Sequence, residues 1–150
     1  MSSVREQILD AVVTAWNTSR PGGVPELVRA PFREIQLTDI TPQDASVYWV
    51  TDEEKPDTED TGPVQVHELL FGIELRAVGN DSQSPETLLD PSAVWAASAL
   101  NDNRLGGLAL FLRVAGSQMD RDNNHHRPLG KLLVGMRCKY ISAVNDFESN

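Results

Sequence analysis

The sequence predicts an α+β domain in which two helices pack against a mainly antiparallel or mixed sheet of about four main strands. Three observations predict it. Two segments, near the N-terminus and after residue 85, carry apolar residues at helical spacing. Three others alternate apolar and polar residues with a period of two. The order helix, strands, helix, strand pair sets helices against strands that can return as hairpins.

Ser3-Val4-Arg5-Glu6 reads as a capping box, after which Val4, Ile8, Ala11, Val12 and Ala15 recur at helical spacing. The helix should stop near Asn17, because Ser19-Arg20-Pro21-Gly22-Gly23 removes an amide donor and frees the backbone. From Val24 to Asp44, Pro25, Pro31 and Pro42 interrupt the apolar runs, so short extended pieces are expected. Ala45 to Thr51, with Val47, Tyr48, Trp49 and Val50, has the content of a buried strand.

Residues 52–63, DEEKPDTEDTGP, hold six acidic residues and one lysine and are expected to form a solvated loop or hairpin arm. Val64 to Val78 is the cleanest strand. Leu69, Phe71, Ile73, Leu75 and Ala77 fall on one face and Glu68, Glu74 and Arg76 on the other. His67, at its start, is read as a strand-edge histidine.

Pro85 and Asp90-Pro91 both look like helix starts, giving either one helix kinked at Pro91 or a short turn followed by a helix from Pro91. Either runs to about Leu100, with Val94, Trp95 and Leu100 as the buried stripe. Asn101 to Asn103 and Gly106-Gly107 end it. Leu108, Leu110, Leu112 and Val114 then alternate on one strand, and Leu132, Val134, Met136, Cys138 and Tyr140 on the last. Between them, Asp120 to Gly130 reads as an exposed turn, and residues 145–150 as a flexible tail.

A chain of 150 residues fits one domain, 1–150, able to bury its own core. Its net charge of −9 excludes a tight grip on nucleic-acid phosphates. Cys138 is the only cysteine, so no intramolecular disulfide forms and a reducing compartment is expected. No signal-peptide pattern opens the sequence and no stretch approaches the apolar length of a membrane span, so the whole chain is read as the mature protein and no membrane partner is expected.

No phosphate loop, dinucleotide fingerprint, nucleophile elbow or HExxH motif is present, so the reading is of no enzyme, no cofactor and no metal. Asp120, Asp122, His125 and His126 crowd together without a recognised ligand spacing, as a turn rich in Asp and Asn does. Cys138 lies on the apolar face of its strand, where a thiol packs as a small hydrophobe. Trp16, Trp49 and Trp95 read as core anchors, one to each major element. Lys131, Arg137 and Lys139 make the other face of the last strand basic while 52–60 is acidic, a pairing that suits head-to-tail self-association or a solvated strand face.

Over nearly its whole length the chain resembles the phage tail terminator proteins, the minor tail protein U-like family of long-tailed phages and prophages. The likeness rests on the opening helix Arg5-Glu6-Gln7-Ile8-Leu9-Asp10-Ala11, the strand ending Val47-Tyr48-Trp49-Val50 before an acidic loop, and the strand carrying Leu69, Phe71, Ile73 and Leu75. It is strongest in Leu105-Gly106-Gly107-Leu108, Arg127-Pro128-Leu129-Gly130 and Cys138-Lys139-Tyr140.

The resemblance implies a structural virion subunit, made in the host cytoplasm and sited at the head-proximal end of the tail. There it would form a homo-oligomeric, hexameric ring that ends tube growth, contacts the tube protein and the neck or head-completion protein, and lets DNA pass without specific binding. Expected subunit or tube contacts, taken from exposure and charge, are Asp52, Glu53, Glu54, Asp57, Glu59 and Asp60 in the acidic arm. Arg121, His125, His126 and Arg127 near the last turn join them, with Lys131, Arg137 and Lys139 on the last strand. The rival readings are a head-completion or neck protein or a tail-tube subunit, and, of another class, a small bacterial binding domain or an enzyme using His125 or His126.

Overall fold

The computed structural model describes residues 3–29, 43–55, 64–80, 82–122 and 128–143. Helix α1 spans Val4–Asn17, strands β1, β2 and β3 span Leu27–Arg29, Gln43–Lys55 and Val64–Val78, helix α2 spans Pro85–Leu100, and β4 and β5 span Phe111–Asp122 and Leu129–Ala143. The strands form one sheet in the order β1-β2-β3-β5-β4, antiparallel except for the parallel β1–β2 pair. The α+β expectation therefore holds, with the three-residue β1 added to four main strands.

Both helices lie on one face of the sheet. Ser3 caps α1, its Oγ accepting from the Glu6 amide at 3.2 Å, while the Glu6 carboxylate pairs with Arg29 of β1 rather than closing the capping box. Ile8, Leu9, Val12 and Trp16 give α1 a fully buried stripe, each such side chain contributing about 1.5–3 kcal/mol over exposure. Asn17 then acts as a strand neighbour, donating to the Leu27 carbonyl at 3.0 Å and accepting from the Leu27 amide at 2.9 Å. This bond pair fixes β1 beside the helix end.

Helix α2 is continuous from its Ser84 cap through Pro91. The missing Pro91 amide leaves the carbonyl of Thr87 without its helical partner, and Thr87 is exposed, where water supplies one. Its buried stripe is Leu89, Ser92, Ala96 and Leu100, not the expected Val94, which is 63% exposed. The stripe runs at three- and four-residue steps from Leu89, and Val94 falls on the opposite side. Trp95 is half-buried and donates from Nε1 to the Trp16 carbonyl at 2.9 Å, tying the helices together.

Alternation on β3 and β5 holds as expected: Leu69, Phe71, Ile73, Leu75 and Ala77 face Val134, Met136, Cys138 and Tyr140 across the inner sheet face, all buried. His67 is a correction, since it occupies the same face and is fully buried. It is followed at every second position by core residues, so it continues the core row rather than ending the strand at an edge. Leu108 and Leu110 are also corrected. Leu105, Gly106 and Gly107 adopt positive φ in a 3-10 turn, and β4 begins only at Phe111, leaving Leu110 49% exposed. Two further boundaries shift. Residues 52–55 belong to β2, and Asp120 to Asp122 pair with Leu129 to Lys131 in the β4–β5 hairpin instead of forming a turn. Residues 56–63, 123–127 and 145–150 lie outside the described residues.

Candidate interaction surfaces

The register of the sheet builds the outer face, opposite the helices, row by row. Phe111, Lys139 and Glu68 lie side by side across β4, β5 and β3, and the next row is Arg113, Arg137 and Leu70. A glycine row follows, Gly116, Gly135 and Gly72, ending at Tyr48 on β2. Beyond it run Gln118, Leu133, Glu74 and Ser46, then Asp120, Lys131, Arg76 and Asp44. No described element covers these rows.

The glycines make a trough. A Cβ on Gly72 would meet Leu133 Cδ1 at 3.1 Å and the Tyr48 ring at 3.3 Å, so those side chains lean over that end. A Cβ on Gly116 would meet nothing within 4 Å, so the trough is open towards β4. The β4–β5 register shift between Val114 and Gly116 brings Gly116 opposite Gly135.

Ion pairs frame it. Arg76 holds Asp44 through two nitrogens, at 2.9 and 2.6 Å, and lies 3.7 Å from Glu74. Lys131 lies 3.9 Å from Glu74, and Arg137 2.9 Å from Glu68. Arg113 pairs with Asp102 at 3.1 Å and sits over the Phe111 ring. Burial chiefly, with the charge of Glu74 second, pushes the Tyr48 phenol above its usual range.

The basic strand face read from sequence thus exists, but β3 places acidic partners beside it. Arg137 and Lys131 are paired within the chain, and Lys139 is half-buried between Phe111 and Glu68 in the register. Arg121 lies at the other end, 3.6 Å from Glu86 at the start of α2. Asp52, Glu53 and Glu54 occupy backbone positions in β2 opposite Leu69, Glu68 and His67. Asp57, Glu59, Asp60, His125, His126 and Arg127 lie outside the described residues.

Sequence reasoning missed the glycine row and Tyr48. The signal was there in the three glycines at positions 72, 116 and 135, each inside an alternating run, where glycine marks a bulge or a close approach. Among the described residues no three His, Cys, Asp or Glu side chains converge as metal ligands. No helix among them is long and apolar enough to cross a membrane.

No family model matches the chain, and no curated protein matches it. Among solved structures the chain is similar to one described as "Virion of native gene transfer agent (GTA) particle", at 14% identity over 93% of this chain and 92% of that chain, with a TM-score of 0.46. A likeness at that level carries no argument about function.

Proposed function

We propose that this chain is a structural virion subunit that assembles as a ring, of six copies by the family resemblance, on the end of a phage tail tube. There it ends tube elongation and offers a surface to the neck. One observation carries the reading: a sheet face with an apolar and glycine centre inside a frame of ion pairs, which no described element covers. Subunit interfaces have that anatomy, with an apolar centre, a polar rim, and Tyr and Arg enriched. The acidic segment 52–60 and the β4–β5 tip, with His125, His126 and Arg127, are proposed contacts to a neighbouring copy or the tube. At −9 per subunit, a ring repels DNA phosphates and conducts DNA without holding it.

A tail-tube subunit or a neck protein would use the same face, so the discriminating experiment is polymerisation. Tube subunits assembling in the presence of this chain are expected to give shorter tubes, each with extra density at one end. Unchanged tube lengths with no bound chain rule out capping, and long tubes formed by this chain alone make it a tube subunit.

A further inference from the structure

Two features of the fold suit a second copy. The first is the pair Arg113 and Arg137, directly opposite each other on β4 and β5 and forming one wall of the glycine trough. Like charges facing across strands destabilise a sheet, and both side chains are about half exposed, at 59% and 46%. Each has a single carboxylate partner among the described residues, Asp102 at 3.1 Å and Glu68 at 2.9 Å. The second is Val94, a large apolar side chain 63% exposed on a helix that otherwise follows its core stripe closely. It shares the outer face of α2 with Glu86 and Asp90, at successive four-residue steps, and α2 contains no Lys or Arg.

These features fit each other. From Glu86 to Val94 the helix advances about 12 Å at 1.5 Å per residue. The trough crosses β4, β5 and β3, about 10 Å at the usual strand spacing. The charges are complementary as well: by register the outer-face rows carry six of the chain's 13 basic residues and six of its 22 acidic ones, so the net charge of −9 lies on the remaining residues.

We propose that the glycine trough on the outer sheet face docks helix α2 of a second copy of this chain. Val94 of the arriving helix enters over Gly116 and Gly135, where no side chain stands in the way, and its Glu86 and Asp90 meet Arg113 and Arg137. The contact is heterologous, so repetition closes a ring or runs on as a filament. It does not depend on what the assembly caps: capping can fail while this contact stands.

The test uses two full-length variants, Val94→Cys and Gly116→Cys, each retaining the buried Cys138. Gly116 has open space around its Cβ position, so the second variant is expected to fold; circular dichroism checks both. Under mild oxidation, the mixture is expected to form a disulfide-linked dimer of one chain of each kind, and neither variant alone is expected to do so. Asp90→Lys, an exposed change, is expected to weaken self-association at least about tenfold by sedimentation, with a loss that grows as salt is lowered. A V94C–V94C dimer as the main product, no mixed dimer, or a chain that sediments as a monomer at every concentration overturns the proposal.

Discussion

The His67 imidazole lies stacked on the Tyr140 ring, with centroids 4.8 Å apart and planes 13° from parallel. The two residues are directly paired across β3 and β5, and both are at least 99% buried. This pair closes the inner face at the end of the sheet where β2 ends at Lys55 and β3 begins at Val64.

Tyr140→Ala removes one of the largest buried side chains and half of that stack. It is expected to cost about 3–5 kcal/mol in unfolding free energy, as ring-to-alanine core truncations do. A shift of the denaturant midpoint at unchanged slope is the measurement, and a loss below about 1 kcal/mol means that the stack does not hold the sheet end.

Gly130 sits where β5 meets the start of α2. A Cβ there would come within 2.3 Å of Pro85 Cβ and 2.8 Å of Met119 Cε. Met119 can swing away, but the proline ring cannot, so Gly130→Ala is expected to destabilise by about 1–3 kcal/mol. Gly22→Ala, with nothing within 4 Å of the added atom, is the matched control and should change little. Thermal unfolding of the two side by side checks both.

Ser92 belongs to the buried stripe of α2 and is fully buried, its hydroxyl without a hydrogen-bond partner. An unpaired buried hydroxyl costs about 1–3 kcal/mol, so Ser92→Ala is expected to raise stability by about 1 kcal/mol after allowing for lost contact. A loss of stability on chemical unfolding contradicts this.

The Glu86 carboxyl is held below its usual range, first by a hydrogen bond from its own backbone amide at the start of α2, with desolvation opposing it and the Ser84 hydroxyl and Arg121 lowering it further. A depressed folded pKa gives stability that is present above the unfolded pKa and lost as pH falls through the folded value. The stability gap between the native chain and Glu86→Gln is therefore expected at neutral pH and should close on acidification. A gap independent of pH contradicts the assignment.

Period and caps made most of this fold legible in the sequence. Ser3 and Asn17 bracket α1, and the alternation through Leu69, Phe71 and Ile73 gives β3 its core face. Three kinds of information were not local. The buried face of α2 depends on its packing against α1 and the sheet, which puts Leu89, Ser92, Ala96 and Leu100 inside and Val94 out. The start of β4 depends on three consecutive positive-φ residues, one of them Leu105, which no propensity would suggest. The partners of Lys131 and Arg137 depend on the β3–β5 register, which brings Glu74 and Glu68 within reach from more than fifty residues away. The basic face was visible from one strand alone, whereas its neutralisation and the glycine trough required three strands to be aligned.

Native mass across a concentration series, with negative-stain imaging of the largest species, tests the ring most directly. A closed ring of identical subunits with a central hole, stopping at one layer, is expected. Long tubes or open filaments as the end product, with no closed ring at any concentration, would contradict it.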